Sequence, residues 1–338
     1  MSKPNVLYAI QGTGNGHVSR ACTLLPYFEQ AWNVDLLISG NQVQVTLPKN
    51  PKIHLHGLVL RYNSKGGISY WKTIRSFNPF RFFRELIQLP IKEYDFVIND
   101  FECVSAWACR LRGVAIIGLS HQAAVLMPGV PKPPKSDVLG KWILKYYAPT
   151  KQAIGFHFQT WHPQIAPPII KKSLRRDDVV DAGFYLVYLP AFSRPVLKEF
   201  LNAFPNVRFV VFDKTTKAIE LDQNIEWQPI SNDMFNMCLM HATGVVTSAG
   251  FETPAETLYL QKKLLVIPIQ GQYEQYCNAA ALKSLWVPAM ETLDPDTFSQ
   301  WLESGAPEID MNACEPEVLV TKVEGLISAD FGTIGPMR

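Results

Sequence analysis

Two successive series of short β-branched runs, each run followed by a longer helical pattern, set what this chain can fold into. The first series is Val6–Ile10, Val34–Ile38, Ile53–Leu58, Phe96–Asn99, Ala115–Leu119 and Ile154–Phe158; the second is Tyr185–Leu189, Arg208–Phe212, Ile225–Trp227, Val245–Thr247 and Leu264–Ile267. Strand and helix periods that alternate in this way build parallel sheets through βαβ units. Two such series therefore predict an α/β protein of two Rossmann-like, doubly wound parallel-sheet domains facing one another across a cleft. A length of 338 residues, about twice that of a usual single domain, agrees. The break falls where Trp161-His162-Pro163 through Pro167-Pro168 and the charge run Lys171-Lys172-Ser173-Leu174-Arg175-Arg176-Asp177-Asp178 disfavour helix or central strand, so a hinged linker is expected there. Domains of residues 1–165 and 166–314 follow. Met127-Pro128-Gly129-Val130-Pro131-Lys132-Pro133-Pro134 reads as a long surface loop.

Composition narrows the function classes. Apolar residues at 47% with 18% charged describe a well-cored globule and exclude a disordered chain. A net charge of +2 gives no footprint for nucleic acid. No stretch reaches the roughly 18 uncharged apolar residues of a membrane span, and Met1-Ser2-Lys3-Pro4 leads into a strand without a signal-peptide pattern, so a cytoplasmic setting is expected. The cysteines Cys22, Cys103, Cys109, Cys238, Cys277 and Cys314 form no C-x-x-C pair and read as buried thiols. The sole D-x-D, Asp294-Pro295-Asp296, reads as a helix N-cap with proline at the first position, and no metal site is expected.

Chemistry concentrates in Thr247-Ser248-Ala249-Gly250-Phe251-Glu252-Thr253-Pro254-Ala255-Glu256. A buried strand ends at small residues, Gly250 opens a tight turn, and a helix is expected to begin near Thr253-Pro254 with Glu256 in its first turn. Small residues let a ligand approach the backbone, free N–H groups at a helix start receive a diphosphate, and a carboxylate one turn on accepts hydrogen bonds from a ribose diol. A solvated glutamate favouring the helix dipole is the plainer reading of Glu256. Near the N-terminus, Val6–Ile10 runs into Gln11-Gly12-Thr13-Gly14-Asn15-Gly16-His17. The third glycine falls one residue early for G-x-G-x-x-G, and Ser39-Gly40-Asn41 stands where a dinucleotide's ribose partner would be acidic.

The run from Thr247 to Glu256, followed by Leu264-Leu265-Val266-Ile267-Pro268 and Gln275-Tyr276-Cys277-Asn278, resembles the donor-binding signature of the GT-B glycosyltransferases. The bacterial undecaprenyl-peptidoglycan-precursor N-acetylglucosaminyltransferase and the plant UDP-glycosyltransferases are the members it is most similar to. The glycine loop ending in His17 resembles the G-x-x-G-G-H loop of the bacterial enzyme, which lies at the domain cleft. The resemblance implies a GT-B fold and transfer of a sugar from a nucleotide sugar, a UDP-sugar by preference, to an acceptor hydroxyl with inversion and without metal or other cofactor. It implies too that the last helical pattern, within residues 315–328, packs back on the first domain.

Residue by residue, it makes His17 the general base, a role that suits a group titrating near pH 6.5. Asp100, followed by the aromatic Phe101, becomes its orienter. A helix-cap histidine and an N-cap aspartate explain the same letters; Glu102 is a rival carboxylate and His121 of Ser120-His121-Gln122 a reserve base. Gly14 and Gly16 would flank the donor phosphates. Ser193 and Arg194 stand where the bacterial enzyme has its Gly-Gly-Ser diphosphate loop, and Ser248 where plant enzymes have a phosphate-binding histidine. In Ile225-Glu226-Trp227-Gln228-Pro229-Ile230, similar to a W-x-P segment, Trp227 would stack on uracil and Ile230 would read its edge; a core tryptophan is the alternative. Gly250 and Phe251 form the donor turn, Glu256 holds the ribose, and Gln270, Gln275 and Asn278 resemble a Q-x-x-N-A segment in which the glutamine meets the donor sugar, or merely begin a helix.

The acceptor region of the first domain would be the aromatic and basic stretch Arg61-Tyr62-Asn63, Ser69-Tyr70-Trp71-Lys72 and Phe77-Asn78-Pro79-Phe80-Arg81-Phe82-Phe83-Arg84. A lipid-linked or glycan acceptor, with peripheral contact to anionic lipid, is the expectation there; a helix packing its rings inward while arginines snorkel is the alternative. A nucleotide-sugar 2-epimerase of the same fold and a non-catalytic nucleotide-sugar-binding subunit remain as rival functions.

Overall fold

The computed structural model describes residues 3–13, 15–40, 47–58, 75, 77–135, 137–174 and 176–331. The first apolar series forms one parallel sheet from β1 (Asn5–Gln11), β2 (Asn33–Ser39), β3 (Ile53–Leu55), β4 (Phe96–Asp100), β5 (Ile116–Ser120), β6 (Gln152–Phe156) and β7 (Ile165–Ala166), in the order β3-β2-β1-β4-β5-β6-β7. The second sheet takes β8 (Tyr185–Tyr188), β9 (Phe209–Phe212), β10 (Glu220–Asp222), β11 (Ile225–Gln228), β12 (Gly244–Ser248) and β13 (Lys263–Ile267) in the order β10-β11-β9-β8-β12-β13, with only β10 antiparallel.

In each sheet the strand order reverses beside the first strand, β1 or β8. A crevice opens at the carboxyl ends of strands at such a point, because the connections leave to opposite faces. The helices that matter follow those strands: α1 (Asn15–Ala31) after β1, α2 (Pro79–Gln88), α3 (Cys103–Arg112) after β4, α4 (His121–Leu126) after β5 and α5 (Val138–Tyr146) in the first half. The second half adds α6 (Arg194–Asn202), α7 (Asn232–His241), α8 (Glu252–Tyr259) after β12, α9 (Tyr273–Ser284), α10 (Pro295–Glu303) and α11 (Pro316–Phe331).

Two strands depart from the sequence reading. Ile165–Ala166 lies inside the expected linker yet pairs with Gly155–Phe156, its proline neighbours falling outside the two paired residues. Glu220–Asp222 is a short, charged edge strand with no apolar pattern to betray it; it turns back onto β11 through Gln223, which takes a left-handed φ of 56°. The apolar run at Ile53 pairs only through Leu55.

The expected hinge is also tied down. Arg176 donates to the carbonyls of Tyr259 (2.8 Å) and Met311 and stacks on the Tyr259 ring at 4.4 Å. At the C-terminus, Leu319, Val323 and Ile327 recur at four-residue spacing and are buried with Leu24, Leu25 and Phe28 of α1. Each such side chain contributes roughly 1.5–3 kcal/mol. Trp32 Nε1–H donates to Glu324 Oε1 at 3.1 Å, fixing the register of α11 on the first domain. The two sheets share one apolar core through Phe158 and Phe251, whose ring centroids lie 5.3 Å apart. All six cysteines are free, four of them buried. Asp294 caps α10 by accepting from Thr297 N–H at 3.0 Å. Among the described residues no helix is long and apolar enough to cross a membrane.

Candidate functional site

At Gly12 the chain must leave β1 in contact with the end of β2: its N–H donates to the Ser39 carbonyl at 2.7 Å, and a Cβ there would sit 2.8 Å from that oxygen. Only glycine fits. The turn delivers the start of α1, where His17 and Arg20, three residues apart, share a face. Ile10 pairs in register with Asp100, so the adjacent strand β4 ends beside the same helix. Phe101 then adopts a left-handed φ of 57°, and Asn99 braces the bend, accepting from Glu102 N–H (3.1 Å) and donating to the Glu102 carbonyl (2.7 Å) and Ser105 Oγ (2.9 Å).

These elements bring four titratable groups together. Asp100 is fully buried and its Oδ1 lies 2.7 Å from His17 Nδ1. Arg20 grips the same carboxylate with two N–H groups, Nε to Oδ2 at 3.0 Å and Nη2 to Oδ1 at 2.7 Å, and its Nη1 pairs with Glu252 Oε1 at the head of α8. Arg20 Nη2 also lies 3.1 Å from His17 Nδ1. Arg20 thus joins the two domains. Burial by itself would raise the Asp100 carboxyl, but Arg20 and then His17 hold it below the usual carboxylate range. Burial works against the Arg20 charge, and Asp100 and Glu252 nonetheless keep it above its ordinary value. Glu252 is pushed up to about 7, chiefly by burial and also by Glu256 and Asp100, with Arg20 opposing.

His17 faces a cleft of about 240 Å³ walled by Gln11, Thr13, Phe101 and Gln122 from the first domain and by Phe251, Glu252, Gln272 and Glu274 from the second. With Nδ1 bound to Asp100, Nε2 is the nitrogen left for chemistry, and no described residue bonds it. His17 lies nearly parallel to Phe101 (5° between rings), which in turn stacks on Tyr147 at 4.8 Å. An imidazole held by a buried carboxylate and presenting its other nitrogen to a cleft can accept a proton from a bound hydroxyl.

The two rivals for these roles are engaged elsewhere. Glu102 caps α3, accepting from Val104 N–H at 2.8 Å and Ser105 N–H at 2.6 Å, and also from Ser39 Oγ at 2.6 Å. His121 is buried with Nδ1 at 2.7 Å from the Phe156 carbonyl and Nε2 at 2.7 Å from Asn278 Oδ1, its ring stacked 4.1 Å from Phe251. Burial lowers its pKa, against Glu274 and its two oxygen partners. It lines the same cleft as His17, as the reserve-base reading expects, but both its ring nitrogens are already bonded and it bridges the two domains. Asn278, the asparagine of the Q-x-x-N-A resemblance, is spent on His121 and on the Ala249 carbonyl, to which Nδ2 donates at 3.0 Å.

The residues read as donor contacts divide. Ile230 and Glu256 line a second cavity of about 230 Å³ with Asn15, Gly16, Ser19, Lys171, Glu252 and the aromatic wall Tyr188, Phe212 and Phe235. Phe235 sits edge-on to both Tyr188 (5.7 Å) and Phe212 (5.2 Å). Glu256 is buried, and Lys171 Nζ pairs with its Oε1 at 3.0 Å, so it is not the solvated carboxylate of the plainer reading. The helix begins at Glu252 instead of Thr253-Pro254, which puts Glu256 in its second turn. Ser193, Ser248 and Gln270 line a third cavity, about 300 Å³, which shares no residue with the other two.

Three of the donor readings are corrected. Trp227 is fully buried in the second domain's core, because β11 turns that face inward; it offers no face to a base. Arg194 caps that ring at 4.5 Å and pairs with Glu220 at 2.6 Å, an arrangement set by the edge strand β10 that the sequence did not reveal. Gln275 clamps its own loop, accepting from Ile269 N–H at 2.9 Å and donating to Gln272 Oε1 at 2.8 Å. At Gly250 an added Cβ would meet nothing within 4 Å, so neither packing nor a left-handed backbone demands glycine there. Gly14 and residues 61–63 and 69–72 lie outside the described residues. On α2, Phe80 (87%), Phe83 (58%) and Ile87 (69%) face outward beside exposed Arg81 and Arg84, the reverse of an inward-packed aromatic face.

Sequence reasoning passes over Arg20 and Lys171, the two cations of the site. Arg20 sits three residues after His17, a spacing that signals a shared helix face; Lys171 lies in a charge run that reads as a hinged linker.

Known proteins bear on this geometry in two ways. The family described as Glycosyl transferase family 1 matches residues 4–304. Similar solved structures include the spinosyn forosaminyltransferase SpnP (12% identical, covering 97% of this chain and all of that one, TM-score 0.62). The spinosyn rhamnosyltransferase SpnG complexed with thymidine diphosphate is 13% identical over 95% of this chain and 100% of that one, with a TM-score of 0.58. MurG of Acinetobacter baumannii is 15% identical over 88% and 90%, with a TM-score of 0.54. No curated protein matches the chain in sequence. With two parallel-sheet domains meeting at their switch points and a family match spanning nearly the whole chain, the protein is a glycosyltransferase of the GT-B fold, belonging to glycosyl transferase family 1.

Proposed function

We propose that the protein transfers a sugar from a nucleotide-sugar donor to an acceptor hydroxyl by a metal-independent, inverting displacement, with His17 as general base and Asp100 as its orienter. The observation that carries this reading is the 2.7 Å contact between His17 Nδ1 and the buried Asp100 carboxylate at the mouth of the cleft. The acceptor hydroxyl loses its proton to Nε2 as its oxygen attacks the anomeric carbon, and the nucleoside diphosphate leaves from the opposite side. Arg20 and Lys171 are the cations placed to balance the departing charge, in the role a metal ion would otherwise fill. The aromatic cavity, with the Ile230 segment and Glu256, suits a nucleoside: rings for the base and a carboxylate for the ribose. A ribose offers Glu256 two hydroxyls where a 2′-deoxyribose offers one, which favours uridine diphosphate over thymidine diphosphate.

The setting proposed is cytoplasmic, with an acceptor that is lipid-linked or a glycan and the outward apolar face of α2 touching anionic membrane. Calorimetric titration with UDP, dTDP, GDP and NAD without metal tests the donor assignment. UDP should bind best, and Glu256→Ala should weaken it. Binding of NAD alone, or of none of the four, would refute the reading.

A further inference from the structure

The transfer cleft and the nucleoside cavity have two lining residues in common, Gly16 and Glu252. A donor with its base in one and its sugar in the other must thread its diphosphate between them. That passage is narrow: a Cβ on Gly16 would lie 3.0 Å from Glu252 Cγ. The side chain standing in it carries the same sign of charge as the diphosphate, and it holds the guanidinium best placed to receive one.

We propose that Glu252 is a placeholder for the donor diphosphate: its carboxylate occupies the passage and engages Arg20, and it yields both when the nucleotide sugar binds. This rests on the donor reading given above. The groups around Glu252 make the exchange feasible. From α1, Arg20 attracts it and His17 lies one turn away; from β4, Asp100 repels it and keeps Arg20 in place after the exchange through two hydrogen bonds of its own. Along α8, Glu256 repels it, while Lys171 neutralises Glu256 from the linker. A carboxyl raised to about 7 in this company takes up a proton readily when a diphosphate displaces it from Arg20.

The test is calorimetry on the full chain with UDP, dTDP and GDP, followed by the nucleoside of whichever diphosphate binds tightest. Glu252→Gln keeps the shape and removes the charge. It should tighten the diphosphate about tenfold at about pH 8 and leave the nucleoside within about twofold, the advantage shrinking toward about pH 6 as the wild-type carboxyl protonates. The wild-type protein supplies an independent reading: titrations in two buffers of different ionisation enthalpy should show net proton uptake on diphosphate binding near pH 7, where direct pairing of a phosphate with a cation would release protons. A diphosphate that binds wild type but is not tightened by Glu252→Gln, or a nucleoside tightened equally, overturns the placeholder and leaves the donor reading standing. Proton release in the wild type overturns it as well. If no diphosphate binds either protein, both fall.

Discussion

Lys171 Nζ lies 3.0 Å from Glu256 Oε1, so the carboxylate facing the aromatic-walled cavity is paired with a cation from the segment joining the two domains. A charge run that reads as a hinge therefore helps line the cavity between the two domains. Lys171 is held in turn by Asn236 Oδ1 at 3.2 Å. Lys171→Met leaves Glu256 buried without its partner. Breaking a fully buried pair costs about 3–5 kcal/mol, and with Lys171 a quarter exposed the expected loss is about 1–3 kcal/mol by denaturant unfolding. An unchanged midpoint would show that the pair is solvated.

Asp100 lies 2.7 Å from His17 Nδ1 and accepts two hydrogen bonds from Arg20 at once. Asp100→Asn should lower kcat on the order of 10²–10⁴-fold while the affinity for the free nucleoside, which does not call on Arg20, stays within about threefold, since neither His17 nor Asp100 lines the aromatic-walled cavity. Equal losses in turnover and nucleoside affinity would make Asp100 a structural residue.

The Asp100 and Glu252 carboxyls impose opposite pH dependences on stability. Glu252 is raised in the folded protein to about 7, so its contribution is complete below its ordinary value and is lost as pH rises through the window ending near 7. The loss is on the order of 2–3 kcal/mol between about pH 4.5 and 7, and Glu252→Gln should flatten it. Asp100 is lowered, so its contribution is present above its ordinary value and disappears only as pH falls through the folded value. Thermal melts of both proteins across this range measure the difference; parallel slopes would contradict it.

Phe80, Phe83 and Ile87 stand out from α2 alongside Arg81 and Arg84. Replacing all three by serine should abolish flotation with anionic vesicles at low salt and leave the melting temperature within about 2 °C, because each is more than half exposed. Vesicle binding that persists would place any membrane contact elsewhere.

Much of this architecture is legible in the sequence because parallel strands and their crossover helices have distinct periods. The His17–Asp100 pair is legible too, because strand ends at a switch point converge whatever the side chains between them. Arg194 and Trp227 are misread because motif position says which loop a residue occupies, not which way it turns; the unpatterned strand Glu220–Asp222 decides that. Lys171 and Arg20 escape notice for a related reason. Their partners lie 85 and 232 residues away in sequence for the pairs with Glu256 and Glu252, and nothing local tells that a cation will find its carboxylate so far along the chain.

The most direct test of His17 as the base is donor turnover with water as acceptor. Wild-type protein incubated with UDP-glucose, UDP-galactose and UDP-N-acetylglucosamine should release UDP slowly from at least one of them. His17→Ala should slow that release by about 10²-fold or more with UDP affinity unchanged. Equal release by both proteins, or an epimerised sugar still attached to UDP, would contradict the account.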